Sequence, residues 1–213
     1  MPVERAKNMN RSIALALAML LFLVATWSKP QAHAQVHKNF ATLHDALSAV
    51  RSKYSVPTGL EISASDSGEV PVALQLQQDD LAQALNQLVE QRPEYAWSLS
   101  DGVYDLYPKT KADSVSDLML KNYLVKDATL DKASQALNSL PEFQTWLTTR
   151  KLTRREFQTG PAWNPNQRID LNLRDVPLRS VLNKLIKNFG LTNWIIDRYG
   201  DRKEYIAIYF RND

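Results

Sequence analysis

The sequence predicts an α+β fold laid out as two tandem βαββαββ modules, and three observations predict it. Shifting the chain by 97 positions places residues 74–99 on 171–196 without a gap, with 7 identities in 26 positions. In both copies apolar residues first alternate and then recur at helical spacing, the mark of a strand leading into an amphipathic helix. Each copy then closes on two β-branched and aromatic runs around a turn sequence, which reads as a hairpin. The identities set Leu74, Leu76, Leu81, Leu85, Asn86, Leu88 and Trp97 on Leu171, Leu173, Leu178, Leu182, Asn183, Leu185 and Trp194. Leucines on an amphipathic pattern coincide easily. The asparagine and tryptophan pairs do not, and they carry the case for duplication of one unit.

Taken in order, the chain begins with Arg5, Lys7 and Arg11 ahead of an apolar run from Ile13 to Trp27. That run spans about 22 Å as a helix, short of a bilayer crossing. Lys29-Pro30 stops it, and Ala32-His33-Ala34 offers the small residues a signal peptidase accepts. Residues 1–34 are therefore expected to be a signal peptide cut after Ala34, with an uncleaved signal anchor as the alternative. Either way residues 35–213 are expected outside the cytoplasm, in the periplasm. The absence of cysteine suits an oxidising compartment and excludes disulfides, thiolate metal sites and a cysteine nucleophile.

Residues 35–110 form the first expected module. A strand near Val36–Asn39 precedes a helix whose Phe40, Leu43, Leu47, Val50 and Tyr54 share a face, and Leu60-Glu61-Ile62 reads as a short strand. Val72, Leu74 and Leu76 alternate as a half-buried strand does. Asp79-Asp80 offers an N-cap to a helix with Leu81, Ala84, Leu85, Leu88 and Val89 on one side. Tyr95, Trp97 and Leu99 make a strand, Asp101-Gly102 the tight turn, and Val103–Tyr107 the return. The polar residues 111–117 are expected to be a linker.

Residues 118–213 form the second module. Leu118–Val125 reads as a strand, Thr129–Leu140 as a helix and Thr153–Gln158 as the next strand. Ile169, Leu171 and Leu173 alternate, and Leu178, Val181, Leu182, Leu185, Ile186 and Phe189 share a helix face between Pro177 and Gly190. Asn193–Asp197 and Glu204–Phe210 flank a turn at Gly200-Asp201. The Tyr205–Phe210 strand is left open as either a sheet edge ready for strand addition or an interior strand.

This order, with LxLxxxxLxxxLxxLxxxxxxxxW in each half, resembles the secretin and TonB short N-terminal domain, in two tandem copies. The resemblance implies a non-catalytic periplasmic module that docks protein partners of the cell envelope. It brings no pore or receptor with it, since no secretin core or β-barrel is expected before Asp213.

Candidate sites follow from the residues that this pattern leaves over. Beyond the leader, 22 basic side chains balance 22 acidic ones, which gives no electrostatic case for nucleic acid. The balance is uneven along the chain: residues 35–112 carry a net −4 and residues 113–213 a net +4. Arg150, Lys151, Arg154 and Arg155 crowd into six positions beside the turn-rich loop of Trp163, and these five are the partner-binding candidates. They suit an acidic protein surface or an anionic envelope surface. His37 and His44 are too far apart to share a metal, Asp79-Asp80 diverge on a helix, and GxSxG, GxGxxG and Walker motifs are absent. No catalytic, cofactor or metal residue is expected, and the chain reads as an exported, non-enzymatic adaptor binding a protein. The alternatives are an envelope glycan or small-ligand module, and an envelope hydrolase with a dispersed carboxylate pair.

Overall fold

Three of the described helices begin at a side chain that satisfies a free backbone amide. In the computed structural model, Thr42 accepts from the Asp45 amide at 3.0 Å and Asp80 from the Gln83 amide at 2.8 Å. Gly190 ends the last helix in the left-handed region with φ 65°. The structure describes residues 37–63, 70–76, 80–110, 114–155, 158–159, 164–199 and 205–212. The leader, Asp79, the Trp163 loop and the Gly200-Asp201 turn lie outside them.

The first half holds β1 (His37–Phe40), α1 (Leu43–Tyr54), β2 (Thr58–Glu61), β3 (Val72–Gln75), α2 (Leu81–Gln91), β4 (Tyr95–Ser100) and β5 (Val103–Pro108). The second holds β6 (Met119–Ala128), α3 (Leu130–Asn138), α4 (Pro141–Thr149), β7 (Thr153–Arg154) and β8 (Gln158–Thr159). It continues with β9 (Ile169–Pro177), α5 (Leu178–Phe189), β10 (Asn193–Tyr199) and β11 (Tyr205–Arg211). The fold is α+β. One helix, α4, was hidden by Pro141, which breaks the α3 pattern and opens a new helix at its first turn. Phe143, Trp146 and Leu147 bury its inner side. The strand expected over Thr153–Gln158 is two short pieces instead.

Strand pairing follows the same plan in both halves. β1 pairs antiparallel with β3, and β6 with β9. β5 lies between antiparallel β4 and parallel β2, as β11 lies between antiparallel β10 and parallel β7 and β8. The two hairpins do not sit in separate small sheets. β2 pairs parallel with β10, setting Gly59 beside Trp194, so one seven-stranded sheet runs β4-β5-β2-β10-β11-β7 with β8 also on β11. Residues 37–213 accordingly form one compact unit. Since β2 is parallel to both β5 and β10, the second hairpin runs opposite to the first. The sheet faces are exchanged with it. Leu60, Leu106 and Ile195 share a core with α1 and α2 on a first face. Trp194, Ile196, Ile208 and Phe210 share another with α3, α4 and α5 on the second.

The leucine stripes face the cores in both halves, but two of the five matched pairs differ: Leu74 is buried where Leu171 is at a rim, and Leu178 is buried where Leu81 is at a rim. Leu74, Leu85, Leu88, Leu178, Leu182 and Leu185 are fully buried, while Leu76, Leu81, Leu171 and Leu173 pack at the rims of the same cores. The Tyr205–Phe210 segment is an interior strand, held on both sides by β10 and by β7 and β8.

Candidate functional site

Each helix that precedes a hairpin presents an asparagine to the hairpin's tryptophan. Trp97 Nε1 donates to Asn86 Oδ1 over 2.9 Å, and Trp194 Nε1 donates to Asn183 Oδ1 over 2.6 Å. What lies beyond differs. Asn183 is buried and reaches across β2 into the first half, donating through Nδ2 to Asp105 Oδ2 at 2.9 Å and to the Ser100 carbonyl at 3.1 Å. Gly59 makes room for that bridge. A Cβ there would stand 2.2 Å from the Trp194 ring and 2.6 Å from Asp105 Oδ1.

The second face of the first half is thus covered by α5 and its neighbours. Lys184 pairs with the Asp101 carboxylate at 2.6 Å, and Lys187 donates to the Asp101 carbonyl at 2.7 Å. Arg179 pairs with Asp117 and lies 3.9 Å from the Tyr107 ring centroid. Glu61 accepts from Ser114 Oγ at 2.8 Å and from the Val115 and Ser116 amides at 2.6 and 3.0 Å. The polarity of 111–117 suggests a linker, yet residues 114–116 are buried because they serve this carboxylate. Asp105 is buried with Oδ1 lacking a donor among the described residues. Burial pushes its pKa up to about 7, against lowering by the Asn183 hydrogen bond and Arg179, with Asp101 adding to the rise.

The equivalent face of the second half, the first face over β10 and β11, carries a different set. Tyr199 and Tyr205 stack with centroids 5.6 Å apart, and Arg155 lies 4.6 Å from the Tyr205 ring and 5.6 Å from the Tyr199 ring. Arg211 stands 5.8 Å from the Tyr209 ring. Asp197 lies on the same face by register, opposite Ala207. Burial raises the Tyr209 pKa, with Tyr199 and Asp197 adding to the rise. These tyrosines are half-buried and Arg155 is exposed. Tyrosine and arginine in this state are the residue types that anchor protein interfaces. The alternation Tyr205, Ala207, Tyr209, Arg211 is legible in the sequence, but only the sheet shows which face it serves.

The basic cluster predicted over residues 150–155 is split by the strand between its members. Arg154 turns to the second face, 5.8 Å from the Phe143 ring, while Arg155 turns to the tyrosines. Arg150 lies 4.5 Å from the Trp146 ring, which Arg198 flanks at 5.1 Å. Lys151 is an exposed left-handed residue with φ 54°. Trp163 falls outside the described residues. Arg150 borders an open groove of about 510 Å³ with Lys121, Glu142 and Trp146. A second cavity of about 500 Å³ joins the ends of α1 and α5, lined by Arg51, Ser55, Ile186 and Leu191. Neither of these two is lined by a carboxylate pair. Trp194 is wholly buried and Trp97 half-buried. His44 sits in α1 beside Asp45 at 3.9 Å. Among the described residues no cluster of three histidines or carboxylates is placed to hold a metal, and no helix is long and apolar enough to cross a membrane. Comparison with family models, with curated proteins and with solved structures returns no match.

Proposed function

We propose that this chain is an exported, non-enzymatic adaptor of the cell envelope, built from two units like the secretin and TonB short N-terminal domain. It works in the periplasm after loss of its leader. Its docking surface is the Tyr199, Tyr205, Tyr209, Arg155 and Arg211 face of β10 and β11. One observation supports this reading above the others. The two halves share a pairing plan and an Asn–Trp hydrogen bond, yet the sheet face that the first half spends on joining its sister carries tyrosines and arginines in the second.

The test is affinity capture from envelope extract with the mature chain against its Arg155→Glu, Tyr205→Ser double variant. The adaptor reading expects a discrete set of partners with the parent chain and its loss in the variant. Identical recoveries, or none from either, reject this docking face. N-terminal sequencing of the exported chain is expected to begin at Gln35. A second reading, a small-ligand module, draws on the cavity between α1 and α5, whose size suits a small molecule and whose wall holds the buried Arg51.

A further inference from the structure

The joint between the halves shows how one edge of this unit is filled. β10 receives β2 in parallel, with the Thr58 and Ile62 amides donating to the Thr192 and Ile196 carbonyls at 3.0 and 2.8 Å. Alternate residues of β10, Trp194 and Ile196 among them, therefore turn their backbone to β2. The Trp194 ring lies over Gly59 on its way to Asn183, so glycine is the residue that this edge admits opposite its tryptophan. β4 holds in the first half the place of β10 in the second, and it ends the seven-stranded sheet: among the described residues no strand pairs with its outer edge. Ser100 opposes Val103 across the two-residue turn, and the Lys109 amide donates to the Glu94 carbonyl at 2.8 Å. Alternate residues thus bond β5, which leaves the backbone of Trp97 and Leu99 facing outward. Their counterparts Trp194 and Ile196 are fully buried, whereas Leu99 is 56% exposed and Trp97 half-buried. Asn86 is exposed too, and among the described residues its Nδ2 has no acceptor. Another edge of the same half is closed by side chains. Gln91 donates to the Ala73 carbonyl at 2.6 Å and accepts from the Ala73 amide at 2.9 Å, and Gln87 accepts from the Gln75 amide at 2.9 Å. Among the described residues nothing does this for Trp97 and Leu99. β4 itself holds no charge and no proline, the usual guards of an open edge.

We propose that the outer edge of β4 takes an extended segment of a partner protein, laid parallel to the strand with a glycine opposite Trp97. The internal joint is the pattern for this occupant. Trp97 makes to Asn86 the bond that Trp194 makes to Asn183, which sets its ring across the neighbouring strand position. A side chain there meets the ring, as a Cβ on Gly59 would meet Trp194 at 2.2 Å. The outward amides and carbonyls of Trp97 and Leu99 supply the ladder. The Leu99 side chain, beside Trp97 and Tyr104 whose rings stand 6.2 Å apart, gains apolar cover. Asn86 then turns its Nδ2 to an acceptor on the partner, the role that Asp105 and the Ser100 carbonyl fill for Asn183. None of these residues belongs to the tyrosine face of β10 and β11, so this second site stands or falls independently of it.

The probe is a synthetic peptide copying residues 55–63, the segment that fills the sister edge, titrated into the isotope-labelled mature chain and followed by nuclear magnetic resonance. Saturable shifts are expected at the Trp97 and Leu99 amides and at the Asn86 carboxamide. The same peptide with Gly59→Val is expected to bind more weakly by roughly tenfold or more. In the chain, Leu99→Pro removes an outward amide without touching the β4–β5 ladder, and Leu99→Lys adds a charge at the edge. Each is expected to weaken binding of the glycine peptide to a similar extent, with an unchanged circular dichroism spectrum. Absence of a saturable shift at these groups overturns the proposal, as does equal binding of the glycine and valine peptides. Binding that survives both Leu99 variants puts the peptide elsewhere and overturns it too. Self-association of the chain alone in sedimentation velocity, abolished by Leu99→Pro, would make a second copy the occupant and reject the partner segment.

Discussion

The two tryptophan–asparagine sites are the same device in unlike company. Trp97 and Asn86 hold β4 to α2 at the rim of the molecule, whereas Trp194 and Asn183 hold β10 to α5 at its centre and extend the bond to Asp105 and Ser100. The local pair is the same in both halves, and its energetic weight comes from what is packed beyond it. A hydrogen-bonded group costs most to remove where its partners stay buried and unsatisfied.

The largest expected effects test the likeness of the halves. Leu85→Ala and Leu182→Ala each empty a fully buried helix site and are expected to lower unfolding free energy by roughly 2–5 kcal/mol in urea titration. Exposed Gln83→Ala is expected to cost under about 0.5 kcal/mol. A small effect at one leucine alone would break the correspondence.

The pH profile tests the joint itself. Asp105 carries its proton up to about pH 7 in the folded chain, against an ordinary value of 3.8. Between those limits the folded state binds a proton that the unfolded state releases, so this group's contribution is full at the acidic end and is lost as pH rises through 7. The groups facing it are Asn183, Arg179 and Asp101, with Glu61 on the same sheet face and Lys184 and Lys187 beside Asp101. Stability is expected to fall by a few kcal/mol across that window, and Asp105→Asn is expected to flatten the fall. An unaltered slope in the variant would mean that another group titrates.

Gly59→Ala sharpens the comparison further, since the added carbon meets the Trp194 ring at 2.2 Å. Overpacking of this kind is expected to cost roughly 1–3 kcal/mol by thermal melting. The smallest difference separates the asparagines. Asn183→Ala is expected to lose about 1–3 kcal/mol and exposed Asn86→Ala under about 1 kcal/mol, so equal losses would contradict the central role given to the buried one.

Much of this architecture is legible in the residues. Periodicity finds the helix faces of α1, α2 and α5, Asp101-Gly102 announces the hairpin with φ 53° and 78°, and the Asn and Trp repeats point to the shared hydrogen bond. Periodicity is silent on pairing between distant strands, so nothing about Thr58–Glu61 signals that its second partner is Asn193–Ile196. That silence hides the single sheet, and with it the role of Gly59 and the burial of Ser114–Ser116 around Glu61. The candidate site was half legible. Arg155 stands out in its basic run, but Tyr199, Tyr205 and Tyr209 read as ordinary strand residues until the sheet's faces are known.

The β2–β10 pairing has a consequence for the growing chain. Thr58 waits for Asn193, far later in the chain, before its strand is flanked on both sides. Until then the first half holds Gly59 and Asp105 without the cover of Trp194 and Asn183, and a ribosome-stalled or clipped product ending before α5 would keep them so. Such fragments are natural clients for holding chaperones and quality-control proteases, whereas a chain extended through α5 and β10 covers that face.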